Sequence, residues 1–110
     1  MTDKIVVLTT CAKAQDAERL ASALVTEQLA ACVNVVPQIR SFYRWKGELE
    51  IADEFLLIIK TSRDLFAALQ AELEKLHPYE VPETVALPIV AGGENYLNWM
   101  EQNLREGSGK

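Results

Sequence analysis

The feature that most constrains the fold of this chain is the placement of its prolines among four strand-like segments. Residues 5–8 and 55–59 are apolar runs without proline, and such runs are typical of strands in the middle of a sheet. The other two segments contain Pro37 and Pro88. Because proline is tolerated in strands only at edges, ends and bulges, we predict that these two segments form the edges of the sheet.

Two amphipathic helices are predicted between the strands. Apolar residues recur at three- and four-residue steps through 14–29 and through 65–76, and Thr61 and Ser62 are predicted to cap the second helix. A further helix is predicted after the glycines at 92 and 93. The order β-α-β-β-α-β, followed by this additional C-terminal helix, predicts an α+β fold, a ferredoxin-like sandwich with strand order 4-1-3-2.

The second and third strands are predicted to form a long hairpin that is closed by Lys46 and Gly47. Alternation then places Ile39, Ser41, Tyr43 and Trp45 on one face, and the loop sets three pairs opposite each other: Trp45 and Glu48, Phe42 and Ile51, and Arg40 and Asp53. A small monomer does not bury an arm of this length or the uncovered face of the sheet beside it. We therefore expect the chain to assemble with copies of itself.

Composition narrows the classes of partner and the location. The 110 residues correspond to one domain, predicted to span 1–106 and to be followed by a flexible tail at 107–110. The formal net charge of -5 argues against a nucleic-acid partner, and no apolar run approaches the ~18 residues of a membrane span. The N-terminus lacks the pattern of an export signal, and the two cysteines lack C-x-x-C spacing, so we expect a cytoplasmic protein with free thiols.

The segment His77-Pro78-Tyr79-Glu80-Val81-Pro82-Glu83 contains the only histidine of the chain and is the first candidate for function. Its two prolines are predicted to hold it extended between the second helix and the fourth strand. One interpretation is a stiff connector whose histidine interacts with the end of a helix. The other is a functional surface on which Tyr79, Glu80, Glu83 and Lys60 line a polar cleft beside His77. The same four residues are equally well explained as solvated surface groups.

Metal binding is one chemistry that these residue types suggest. A neutral imidazole such as that of His77 is a ligand for copper or zinc, and Cys11, just past the first strand, is a candidate thiolate ligand. Cys11 is explained equally well as a packed loop residue. Carboxylates such as Glu80 and Glu83 would serve harder divalent ions.

Enzyme chemistry has less support. The sequence has no Ser-His-Asp ordering, glycine-rich phosphate loop or two-histidine metal spacing, so we do not expect an enzyme. An acid-base enzyme that uses His77 with Glu80 or Glu83 is the less favoured alternative.

Four motifs, in order along nearly the whole chain, resemble those of one family. They are Leu29-Ala30-Ala31-Cys32-Val33-Asn34, Ser41-Phe42-Tyr43-Arg44-Trp45-Lys46-Gly47, Leu76-His77-Pro78-Tyr79-Glu80-Val81-Pro82-Glu83 and Tyr96-Leu97-Asn98-Trp99. On these motifs the chain resembles the divalent-cation tolerance protein CutA family. The resemblance implies a cytoplasmic homotrimer with a ferredoxin-like fold, similar in architecture to the PII signalling proteins, and a link to tolerance of copper and other divalent metal ions.

The resemblance also bears on the metal site. His77 matches the histidine position of the family, whereas some members place a cysteine at the position of Thr9 and a second histidine at the position of Leu76. We therefore predict a non-enzymatic homotrimer that binds copper or another divalent metal ion at His77 and Cys11 and contributes to metal-ion homeostasis. The alternative is a PII-like trimeric signalling module that binds a small metabolite or a partner protein in inter-subunit clefts.

Overall fold

The computed structural model describes residues 2–107, which form one antiparallel sheet and three helices. A short 3-10 turn precedes the second helix. The elements, in chain order, are β1 (Lys4–Cys11), α1 (Ala14–Thr26), β2 (Cys32–Trp45), β3 (Glu48–Ser62), α2 (Phe66–Leu76), β4 (Val85–Pro88) and α3 (Glu94–Gln102).

The strand order is β2-β3-β1-β4, and every neighbouring pair is antiparallel. This is the predicted order 4-1-3-2 read from the other edge, so the α+β, ferredoxin-like prediction is confirmed. Both prolines lie in edge strands, as predicted. Pro88 is the last residue of edge strand β4, and Pro37 lies in edge strand β2 at a bulge, where the register with β3 shifts between Val36 and Ile39.

The hairpin of β2 and β3 has the predicted loop and register. Trp45 pairs with Glu48, and Phe42 pairs with Ile51 further from the loop. Lys46 and Gly47 have φ angles of 52° and 82°. Positive φ at both central residues is the geometry of the two-residue hairpin turns that match the twist of the strands, and glycine reaches it without steric cost.

One face of the sheet packs against α1 and α2 and forms the core. Alternate residues of the central strands point into it, and they meet the leucines of the two helices. The core includes Val7, Cys11, Leu57 and Ile59 from the strands and Leu20, Leu24, Leu69 and Leu73 from the helices.

The opposite face of the sheet is only partly covered. Along β1 the residues that alternate with the core, Val6 and Leu8, are half-buried. The third helix, α3, contacts this face through Lys4, whose Nζ lies 2.7 Å from Glu101 Oε1, and through Lys60, whose Nζ lies 5.6 Å from the ring centre of Tyr96. The central strand β1 is therefore fully buried on the face that the helices α1 and α2 cover and half-buried on the other.

Two details at the ends of elements differ from expectation or stay open. Thr61 does not cap α2, because β3 continues to Ser62 and the Thr61 hydroxyl turns into the core, where it donates to the carbonyl oxygen of Leu29 at 2.7 Å. Ser62 also makes no side-chain cap.

Gly107 lies against the side chain of Asp64. The rest of the predicted tail, 108–110, lies outside the described residues, so the division into 1–106 and 107–110 stays a prediction.

Candidate functional site

The loop that follows α2 begins at His77. The backbone N–H of His77 closes the helix by donating to the carbonyl oxygen of Leu73 at 2.8 Å, while its own φ and ψ of -76° and 137° are already extended. Pro78 disfavours a helical conformation at the residue before it, which explains why the chain leaves the helix at this point. The side chain of His77 is 7% exposed, so the loop carries its histidine inward.

Both ring nitrogens of His77 are occupied by hydrogen bonds to the backbone. Nδ1 accepts from the N–H of Tyr79 at 3.1 Å, and Nε2 lies 2.7 Å from the carbonyl oxygen of Thr10. Because an amide N–H can only donate and a carbonyl can only accept, Nδ1 is the acceptor and Nε2 carries the hydrogen. His77 thus ties the loop to the end of β1, and in this arrangement neither nitrogen has a lone pair free for a metal ion.

A second tie joins the loop to the hairpin. The Tyr79 hydroxyl donates to the carboxylate of Glu54, a β3 residue that is only 5% exposed. Burial, followed by the hydrogen bond to Glu54, raises the pKa of Tyr79 well above its usual value. The phenol therefore stays protonated and remains a donor to Glu54 throughout the physiological range.

The loop and the hairpin line a partly open cavity of about 550 Å³. Aromatic residues of β2 form one wall, and the loop and Glu54 of β3 contribute the rest of the described lining. Among the described residues, the lining consists of Thr10, Ser41, Phe42, Tyr43, Trp45, Glu54, Tyr79, Glu80, Val81 and Glu83. We call this space the acidic-aromatic cavity.

The charged groups that line the acidic-aromatic cavity are negative. Three carboxylates line it, and none of the described lining residues is a lysine or an arginine. Desolvation, followed by the charge of Glu54, raises the pKa of the Glu83 carboxyl. Two carboxylates that disfavour each other's charge form an arrangement that a cation would stabilise.

Of the residues predicted to line a cleft beside His77, three lie in this cavity and one does not. Tyr79, Glu80 and Glu83 are part of its lining. Lys60 is not part of this lining: it lies six residues beyond Glu54, roughly 20 Å further along β3, and its amino group contacts Tyr96 of α3. Within one chain, strand residues that far apart do not share one small site.

Cys11 lies in the core, on the face of the sheet covered by the helices. It is fully buried, and its thiol contacts the carbonyl oxygen of Lys13 at 3.7 Å. Burial, followed by the charge of Asp16, raises the pKa of this thiol and so disfavours the thiolate that binds metals. Among residues 2–107, no three or more histidine, cysteine, aspartate or glutamate side chains are arranged to hold a metal ion. The metal assignment of His77 and Cys11 stays a prediction that the geometry of one chain does not support.

Glu54 was not predicted from the sequence to be part of the site. It occurs in a polar stretch of the hairpin, where a glutamate is ordinarily solvated. The signal that could have identified it was the predicted register, which sets Glu54 opposite Ile39 and therefore on the same face as Tyr43 and Trp45.

Comparison with known proteins identifies the family. The profile described as CutA1 divalent ion tolerance protein matches residues 5–103. The divalent-cation tolerance protein CutA of Thermus thermophilus is 49% identical over 98 residues, which are 89% of this chain and 95% of that protein. The chain belongs to the CutA1 family.

The similarity to CutA extends to the backbone and to eukaryotic members. The solved structure of the Thermus thermophilus Cut A1 protein superposes with a TM-score of 0.90 at 47% identity, covering 93% of this chain and 99% of that one. A rice relative named Protein CutA 1, chloroplastic, is 45% identical over 93% of this chain, which spans only 58% of that protein. Because one CutA name carries a chloroplast location, family membership does not fix the compartment, and the cytoplasmic location stays a prediction.

Among the described residues, no helix is long and apolar enough to cross a bilayer.

Proposed function

We propose that this protein contributes to divalent-cation tolerance by binding a hydrated divalent cation at the carboxylates of the acidic-aromatic cavity. The observation that carries the proposal is Glu54, a carboxylate that is 5% exposed and that has no ion pair among the described residues. A buried carboxylate without a cationic partner is costly. With Glu83 in the same cavity, a divalent ion would offset the charge of both groups.

The donors present favour particular ions. Carboxylate oxygens suit hard cations, and Mg²⁺ or Mn²⁺ can be held by one or two carboxylates while keeping several waters. Copper was the first expectation from the resemblance, and it prefers imidazole or thiolate ligands, but His77 is fully hydrogen-bonded and Cys11 is buried as a thiol. We therefore expect weak binding that follows the carboxylates and not His77.

The proposal includes a homotrimer, for which the exposed apolar surface is the support. On the open face of the sheet the edge residues Val85 and Leu87 are 47% and 50% exposed, next to the half-buried Val6 and Leu8. The hairpin adds exposed large apolar residues, namely Phe42, Leu49 and Ile51. Exposed apolar surface on both faces of a sheet indicates an interface, and copies of the same chain are the simplest partners.

Light scattering after size exclusion tests the assembly. Wild type should elute at about three times 12.3 kDa at micromolar concentration, and Leu87→Glu on the open face should reduce that mass. Glu18→Gln, an exposed change on α1, is the control. A wild-type mass of one chain at these concentrations would contradict the trimer.

Calorimetric titration with Mn²⁺, Zn²⁺ and Cu²⁺ tests the cation site. Glu54→Gln should weaken binding about tenfold or more, because it removes a full charge from the site, whereas Glu18→Gln should bind as wild type does. Cys11→Ala tests the competing thiol site. If Glu54→Gln binds all three ions like wild type, or if Cys11→Ala alone loses copper, the proposed site is wrong.

A second candidate function is supported by the aromatic wall of the same cavity. Phe42, Tyr43 and Trp45 are 63%, 44% and 37% exposed, and a bare or hydrated ion makes no use of them. A PII-like signalling module that binds a small metabolite would use them as a platform.

A further inference from the structure

The acidic-aromatic cavity is larger and more apolar than an ion requires. Its volume of about 550 Å³ lies within the roughly 300–1,000 Å³ of ordinary small-molecule sites. One wall consists of Tyr43 and Trp45, which alternate on the face of β2 that looks toward Glu54, with Phe42 also in the lining. This wall can accept a hydrocarbon chain or a planar group, but it does not contribute to binding a hydrated metal ion.

The charged residues that line the cavity determine which sign of charge on a ligand is favourable. Glu54, Glu80 and Glu83 line it, and none of the described lining residues is cationic. A phosphate or a carboxylate ligand would meet only repulsion there. A neutral ligand would leave the buried carboxylate of Glu54 without compensation, so a positively charged group is the best match.

The Tyr79 hydroxyl determines which oxygen is available. It donates to one oxygen of the Glu54 carboxylate, and so holds the group in a fixed orientation. The other oxygen can accept from a ligand N–H. A charge-assisted hydrogen bond at a buried carboxylate is stronger than a neutral one, and a cation that also lies against an indole or phenol ring gains from the π-system.

We propose that the acidic-aromatic cavity binds a small organic cation, a protonated alkylamine or a guanidinium compound, with its N–H donors on Glu54 and Glu83 and its hydrocarbon part against Tyr43 and Trp45. The inference rests on the proposed function in placing ligand binding in this cavity, and it extends it by naming a second class of ligand. Because both ligands need the same carboxylates, a divalent cation and the organic cation compete.

The test uses nuclear magnetic resonance of the full ¹⁵N-labelled chain with three probes of nearly equal shape. They are isopentylamine, which is cationic at neutral pH, isopentanol, which is neutral, and isovalerate, which is anionic. The indole N–H of Trp45, assigned by Trp45→Phe, reports on the cavity. The indole of Trp99, which stacks on Tyr96 of α3, is the internal control.

Isopentylamine should shift the Trp45 indole signal with a dissociation constant at least about tenfold below that of isopentanol, because it alone makes a charge-assisted hydrogen bond. Isovalerate should cause no shift. Glu54→Gln should reduce the amine to the affinity of the alcohol, and Glu18→Gln should not. Equal binding of amine and alcohol, equal shifts at Trp99, or absence of any shift at Trp45 would overturn the inference.

A second variant separates this inference from the proposed function. Trp45→Leu should weaken isopentylamine several-fold and leave Zn²⁺ affinity unchanged, because the ion does not use the aromatic wall. Amine binding without Zn²⁺ binding would refute the cation-tolerance site alone. Zn²⁺ binding without amine binding would refute the organic-cation inference alone. If both bind, Zn²⁺ should raise the apparent dissociation constant of the amine.

Discussion

The Nε2 hydrogen of His77 is donated to the carbonyl oxygen of Thr10, 2.7 Å away, across 67 residues of sequence. His77, which the sequence suggests as a metal ligand, thereby joins the loop to β1 by a hydrogen bond. Its second nitrogen accepts from Tyr79, the residue that in turn holds Glu54. These three hydrogen bonds form a short chain of contacts that fixes one wall of the acidic-aromatic cavity.

Replacing His77 by alanine should therefore destabilise the fold even without any metal. The change leaves the Thr10 carbonyl and the Tyr79 N–H without their partner, and it opens a small void, so we expect a loss of about 2–4 kcal/mol in the free energy of unfolding. Urea denaturation measures it. Lys75→Ala, at the exposed end of the same helix, is the control and should cost less than about 0.5 kcal/mol. A His77→Ala variant as stable as the control would refute the fastening role.

Replacing Thr9 or Thr61 by valine should change the free energy of unfolding in opposite directions. Both are fully buried, on neighbouring central strands, but the hydroxyl of Thr61 donates to Leu29 whereas that of Thr9 has no partner among the described residues. Thr9→Val removes a buried hydroxyl that makes no hydrogen bond, so it should stabilise by about 1 kcal/mol. Thr61→Val should destabilise by about 1 kcal/mol. Thermal and urea unfolding of the two variants check the signs, and equal effects would contradict the assignment.

Tyr79 should dominate a change of stability at alkaline pH. Its pKa in the folded state is raised above the unfolded value of about 10, so its contribution is fully present below pH ~10 and is lost as pH rises toward the folded pKa. The free energy of unfolding of wild type should accordingly fall above pH ~10 more steeply than that of Tyr79→Phe. Parallel pH profiles for the two proteins would show that the phenol is not held by Glu54.

Glu83 should make cation binding depend on pH in the acid range. Its folded pKa is raised, so the carboxyl keeps its proton to a higher pH than in the unfolded chain, and the stability it contributes is present below pH ~4.3 and lost as pH rises through the folded pKa. A bound cation displaces that proton. Mn²⁺ affinity should therefore fall as the pH is lowered from neutral toward the raised pKa of Glu83, and Glu83→Gln should bind more weakly at pH 7 with a flatter profile. An unchanged slope in the variant would exclude Glu83 from the site.

Much of the fold could be predicted from the sequence because the decisive signals were local. Proline at 37 and 88 assigned the edges, and the loop at Lys46 and Gly47 fixed the register of the hairpin to the residue. The prediction that Thr61 caps α2 failed because β3 continues through Thr61 to Ser62. The hydroxyl of Thr61 therefore points into the core. Local patterns do not report where a long strand ends.

The site was only partly predictable, since its geometry depends on contacts between distant parts of the chain. The loop residues Tyr79 and Glu83 were predicted as a group and line one cavity, but their neighbour Glu54 lies 25 residues from Tyr79. The hydrogen-bond partners of His77 were not predictable for the same reason. Residue type indicates what a histidine can bind, whereas the acceptor at Thr10 determines what it does bind.

The bulge in β2 determines which side chains face the cavity. Between Val36 and Ile39 the strand advances three residues while β3 advances two, so the alternation of β2 is reversed beyond this point. Tyr43 and Trp45 therefore share a face with Glu54. If β2 kept its full sequence but ran without the bulge, Gln38 would lie opposite Glu54, and Arg40 and Arg44 would face the carboxylates instead. An acidic surface would become a self-neutralised one, so the charge of this cavity depends on the bulge as much as on the residues that line it.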